Sequence, residues 1–187
     1  MRPSSIFLAA VASFTFGLAG ATPIAYSSTG LVQIGDLATA YSSIDVDVHG
    51  VVRDVDALVD ITHSFDADLI LSLTHGGVTV LLSNRNGGSG GANYAGTLFD
   101  DGAAIAIDAG DAYAPYTGAF RPEEALSAFI GHDIFGVWTL TAMDMEAGDS
   151  GVVNNWSLVA QVPEPGALAL FGTGFVALSA TRRRRQG

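Results

Sequence analysis

An all-β fold, an antiparallel sandwich or jelly roll, is what this sequence predicts. Three observations carry that expectation: apolar residues alternate with period two over several runs, glycine-rich turn signals separate the runs, and no stretch of comparable length has helical periodicity.

The first run starts at Tyr41, where Ile44, Val46 and Val48 alternate with Asp45, Asp47 and His49 as in a half-buried strand. Similar runs follow at Val55–His63, Asp68–His75, Val78–Ser83, Ala103–Ile107, Gly136–Met143 and Gly151–Gln161. Between them lie His75-Gly76-Gly77, the Gly-rich Asn84–Asn93, Asp101-Gly102, Asp108–Asp111 and Gly148–Gly151. Trp138 and Trp156 share parity with Leu140 and Leu158, which points them into a core. With Phe99, Phe120 and Phe129 these tryptophans could instead be read as a sugar-stacking platform, whereas Tyr94, Tyr113 and Tyr116 lie in or near expected loops and are the better candidates for ligand contact.

The chain has 187 residues, enough for one domain plus targeting segments. Met1-Arg2-Pro3, an apolar run from Ile6 to Gly20 and the small residues Ala19-Gly20-Ala21 have the order of a secretory signal, expected at residues 1–21 with cleavage after Ala21. Residues 22–36 are expected to form a linker. All 19 acidic residues lie between Asp36 and Glu164, and only Arg53, Arg85 and Arg121 oppose them there, leaving about −16 on the body. Such a body repels phosphate backbones, which excludes nucleic acid as a partner and favours divalent cations. Without cysteine there is no disulfide or thiolate chemistry.

At the other end, residues 166–181 carry no charge and Arg182–Arg185 follow. As a helix that run spans roughly 24 Å, short for a bilayer core of about 30 Å but extendable by arginine snorkelling. A short C-terminal transmembrane helix is therefore expected, with the arginines on the cytoplasmic side. The motif Val162-Pro163-Glu164-Pro165, the apolar run and the arginine tail together resemble the PEP-CTERM sorting signal, over residues 162–187. That resemblance implies an exosortase-type membrane protease as partner, cleavage near Pro-Glu-Pro, transient anchoring in the inner membrane, and delivery to the envelope, surface or extracellular matrix of a Gram-negative bacterium.

The body, residues 37–161, resembles the P domain (P/Homo B) that follows the catalytic domain of kexin- and furin-type convertases. The matching stretches include Ile61-Thr62-His63-Ser64, Asp68–Leu73, Gly76–Thr79, Leu81–Arg85, Phe99-Asp100-Asp101, Ala114-Pro115-Tyr116, Gly118–Pro122, Leu126–Phe129, Gly136–Leu140, Gly148–Gly151 and Asn155–Leu158. The resemblance implies a jelly-roll β-sandwich of eight or nine strands, non-catalytic, serving elsewhere as an accessory to subtilisin-like serine proteases.

No catalytic residue is expected. Gly148-Asp149-Ser150-Gly151 copies a serine-protease nucleophile, but Val152-Val153 follow, and none of His49, His63, His75 and His132 has the setting of the partner histidine. The run Asn86–Gly91 lacks the lysine and following helix of a phosphate loop and reads as a mobile connection. Two acidic groups, Asp100-Asp101 and Asp144 with Glu146 and Asp149, are candidate Ca²⁺ ligands because a hard cation takes oxygen donors. Carboxylates that cap backbone amides in turns are the open alternative. The function expected is an exported β-sandwich module with binding or structural duty, extracellular polysaccharide being one candidate ligand. The alternative is an accessory domain acting in trans with a subtilisin-like protease.

Overall fold

The computed structural model describes residues 21–109 and 113–163, which form ten strands in two sheets. The strands are β1 (Ala21–Ser27), β2 (Val32–Ile34), β3 (Thr39–Val46), β4 (Asp54–His63), β5 (Leu69–His75), β6 (Val78–Asn84), β7 (Tyr94–Phe99), β8 (Tyr116–Phe120), β9 (Gly136–Asp144) and β10 (Gly151–Pro163). The larger sheet runs β1-β10-β4-β7-β8 with β2 also on β10, and the smaller runs β3-β9-β5-β6.

Alternation places one face of each main strand in a shared core. Val55, Ala57, Val59 and Ile61 of β4 meet Leu69, Leu71 and Leu73 of β5 within one buried cluster. Trp138 and Trp156 are both fully buried, as their parity predicts. Each indole N–H is satisfied: Trp138 donates to the Ile134 carbonyl at 2.9 Å, and Trp156 donates to Ser42 Oγ at 3.1 Å, from the larger sheet to the smaller. His75 stacks flat on Trp138 at 4.0 Å, and its ring nitrogens face the carbonyl oxygens of Val137 and Asp133.

Several expectations change. Residues 22–36 are not a linker, because β1 and β2 both pair with β10. Their apolar positions, Ile24 with Tyr26 and Val32 with Ile34, do alternate, but over runs too short to register. Among the described strands the pairings are antiparallel except that β7 and β8 run parallel. Ala103–Ile107 is no strand; Ala106 makes one isolated bridge to Arg121, while the Ile107 side chain is buried. Instead β7 and β8 complete the sheet. In β7 a register shift against β4 breaks the alternation, and Gly96 adopts φ +64°; in β8 only the terminal Tyr116 and Phe120 are buried.

Tyr94 and Tyr116 are not loop residues exposed to ligand. They are fully buried and their rings stack at 5.1 Å, leaving only Tyr113 of the three exposed. Arg121 donates from Nη1 to the Ala103 carbonyl at 3.2 Å. The glycine-rich connection is tied at its base, where the Gly91 carbonyl accepts from Asp66 N at 2.9 Å. A Cβ on Gly91 would lie 2.3 Å from the Gly87 carbonyl oxygen, so the loop closes tightly there. No helix among the described residues is long and apolar enough to cross a membrane; residues 1–20 of the expected signal peptide and the expected tail helix lie outside the described residues, while Ala21 opens β1.

Candidate functional site

Strands β4 and β9 end together, so the sheet pairings gather acidic residues that sequence separates widely. His63 closes β4, Asp144 closes β9, and Asp66 and Asp68 sit in the short 3-10 turn Asp66–Asp68 leading into β5. His63 Nε2 donates to Asp144 Oδ2 at 3.2 Å, with both side chains excluded from solvent. The other carboxylate oxygen of Asp144 accepts from the Glu146 amide at 3.1 Å. Nearby, Ser64 Oγ donates to Asp149, and Arg85 reaches Glu146 at 2.8 Å and the Ala67 carbonyl at 3.1 Å.

Asp66 is fully buried: its Oδ1 accepts from the Asn93 amide at 2.8 Å, while Oδ2 is buried without a hydrogen-bond partner. Burial pushes its carboxyl up to about 6, against the opposing pull of the Asn93 amide and His63. Burial also raises Asp68, with Asp144, Asp149 and Glu146 adding repulsion. Sequence reasoning did not single out His63, Asp66 or Asp68 here, because only the pairing of distant strand ends brings them beside Asp144.

The other acidic pair lies at the opposite end of β4. Phe99 pairs with Ala57 there, whereas Gly151 pairs with His63 at the far end. Both Asp101 oxygens accept backbone amides, from Leu126 and Ser127, each at 2.8 Å, capping the 3-10 turn Leu126–Phe129. Asp100 Oδ1 accepts from Gly102 at 2.7 Å in a tight Asx turn. Asp56 is raised to about 6 by burial first and then by Asp100, Asp54 and Asp101.

Thus the structure keeps Asp100 and Asp101 apart from Asp144 and Asp149. Among the described residues no three imidazole or carboxylate side chains converge as metal ligands. Each of the four carboxylates has a protein donor, backbone amides for Asp100, Asp101 and Asp144 and the Ser64 hydroxyl for Asp149. Ser150 is exposed in the turn before β10, while His63 directs its Nε2 at Asp144.

A shallow groove of about 600 Å³ lies at the end where the described chain leaves the sandwich, lined by His49, Gly50, Val51, Arg53, Asp133 and Pro163 among others. His49 Nδ1 meets Asp133 Oδ2 at 2.7 Å and its ring stacks on Phe135 at 4.1 Å. The contact with His49, followed by the Gly50 and Phe135 amides, holds the Asp133 carboxyl down at about 2. The sorting residues Val162 and Pro163 are the last two of β10, while Glu164 and Pro165 lie outside the described residues.

The sequence matches the proprotein convertase P-domain over residues 52–160 and the PEP-CTERM protein-sorting motif over residues 161–185. No curated protein matches the chain. Among solved structures, it is similar to the Aeromonas sobria serine protease in complex with its chaperone, at 16% identity and a TM-score of 0.50, covering 77% of this chain and 27% of that one. The same protease alone gives 17% identity and a TM-score of 0.47, over 75% and 26% of the two chains. The chain therefore spans about a quarter of those structures, and the likeness to the complex is one of fold. By a match covering more than half its length, joined directly to a sorting motif, this chain belongs to the proprotein convertase P-domain family.

Proposed function

We propose that the protein is an exported, non-catalytic β-sandwich module, delivered to the cell envelope, surface or extracellular matrix of a Gram-negative bacterium, where it has binding or structural duty. One observation carries this reading: the P-domain match ends at residue 160 and the sorting match begins at 161, within a single strand, β10. Body and the first three residues of the sorting match thus share one strand. An exosortase-type protease is the partner this reading requires, with the tail holding the chain in the inner membrane until it acts. The acidic body suits no nucleic acid, and extracellular polysaccharide is the candidate ligand.

Family membership favours a second reading, in which the domain acts in trans on a separate subtilisin-like endopeptidase. Affinity capture of the tagged protein from its native envelope, followed by protein identification and glycan analysis, separates the two. Retention on polysaccharide without a serine protease supports the first, and stoichiometric recovery of such a protease supports the second. Recovery solely in the cytoplasm would refute both.

A further inference from the structure

Two loops meet at the end of the sandwich from which β10 leaves. Backbone bonds tie them together: Val52 N donates to the His132 carbonyl at 2.9 Å, Gly131 N to the Val52 carbonyl at 2.9 Å and Ile134 N to the Gly50 carbonyl at 2.8 Å. These paired loops hold four large apolar side chains in water, Val48, Val51, Ile130 and Phe135, each 42–47% exposed. Val162 presses on Gly50 in the first loop, and Pro163 lines the same groove as His49, Val51 and Asp133. Exposed apolar side chains gathered in this way mark a contact surface.

Where the chain goes next says what covers that surface. Only Glu164 and Pro165 separate Pro163 from the uncharged run 166–181. Three residue steps reach at most about 11 Å. The headgroup layer on one side of a bilayer is itself roughly 5–8 Å deep. With residues 166–181 in the bilayer, the loop end of the sandwich cannot stand clear of the headgroups.

The charges at this end fit such a place. Arg53 is exposed beside the groove and has no ion pair among the described residues, which leaves its guanidinium free for a headgroup phosphate. Asp133 is already engaged by His49 and by the Gly50 and Phe135 amides. Asp47, exposed one residue before Val48, and the acidity of the whole body disfavour an anionic surface, so the surface that fits is zwitterionic.

Resting on the membrane-anchoring reading above, we propose that Val48, Val51, Ile130 and Phe135 form a lipid-facing surface, seated in the headgroup layer of a zwitterionic bilayer while the tail holds the chain there. The contact sets which way the sandwich stands: β10 runs down toward the bilayer, and the end that carries His63 and Asp144 points away from it.

The chain has no cysteine, so one introduced cysteine carries a fluorescent label at a single place. Full-length protein is reconstituted in phosphatidylcholine vesicles containing brominated lipid, which quenches a label that touches it. Labels at Val51→Cys and Ile130→Cys should be quenched at least about threefold more than one at Met145→Cys. Met145 is also exposed but lies just past the far end of β9, roughly 30 Å from Gly136. A label at Ala177→Cys, inside the uncharged run, reads the anchor separately. If it is quenched while labels at 51 and 130 are quenched no more than at 145, the lipid-facing surface is overturned alone. An unquenched label at 177 overturns the anchoring reading and the surface with it. Finally, Val51→Asp combined with Ile130→Asp should cut the quenching of a Val48→Cys label by at least about half. Unchanged quenching there overturns the role of these side chains and leaves the short tether as the cause.

Discussion

His63 and Asp144, 81 residues apart in sequence, form an imidazole–carboxylate contact of 3.2 Å wholly inside the protein. Truncating one partner of such a pair leaves the other desolvated and unpaired. In Asp144→Ala the Glu146 amide also loses its acceptor. We expect a loss of about 3 kcal/mol, the usual scale for breaking a buried pair. Urea unfolding of Asp144→Ala, His63→Ala and the double variant should give strong coupling, and additive losses would show that the contact contributes nothing.

The carboxyls around this pair predict the direction of pH dependence. Asp66 has a folded value of about 6 against a reference of 3.8, so the folded state binds this proton more readily than the unfolded chain. Its contribution is fully present below 3.8 and is lost as pH rises through 6. Asp68 and Asp56 act in the same direction. Asp133, lowered to about 2, acts oppositely and loses its contribution only as pH falls through that value. Urea midpoints should therefore increase from pH 7.5 to pH 5. Asp66→Asn keeps the acceptor for Asn93 while removing the charge, so it should flatten that slope and stabilise the protein at pH 7.5 by on the order of 1–2 kcal/mol.

Much of the core was legible because period-two alternation survives in β3, β4, β5, β9 and β10, and because Trp138 and Trp156 sit in phase with it. β7 and β8 were not, since a register shift and glycines at 96 and 118 interrupt the pattern that a strand needs to announce itself. The acidic residues were visible but their roles were not. Asp101 reaches amides 25 and 26 positions away, and Asp66 is buried by a loop that returns to it from Gly91 and Asn93. Such partners are fixed by how the strands pair and not by any local signal.

Asp101 as a cap also predicts a response to metal. Removing both oxygens in Asp101→Ala frees the Leu126 and Ser127 amides and should cost about 1 kcal/mol. Because these oxygens already have protein donors, millimolar Ca²⁺ or EDTA should move the thermal midpoint by less than about 2 °C. A Ca²⁺-dependent rise that disappears in Asp101→Ala would assign these carboxylates to a cation.

The contact between the sheets predicts a cost for the smallest of changes. Ser42→Ala removes the acceptor of the buried Trp156 indole N–H without altering the packing of the ring. An orphaned buried donor costs about 1–3 kcal/mol. Urea unfolding should place Ser42→Ala in that range, and a neutral result would mean that the indole finds another acceptor.

Gly50 and Val162 join the body to the first residues of the sorting motif, and their contact can be tested by complementary size changes. Gly50→Ala adds a methyl where Val162 Cγ1 already stands 2.2 Å away, so the end of β10 must shift or lift. Overpacking of this kind costs about 1–3 kcal/mol. Val162→Ala removes the methyl groups that would clash, at a smaller cost since Val162 is only half-buried. The double variant should therefore be more stable than Gly50→Ala alone, with a favourable coupling of about 1 kcal/mol. Amide exchange at Val162 should quicken in Gly50→Ala and slow again in the double variant. If both single losses simply add, the glycine is not there to seat Val162.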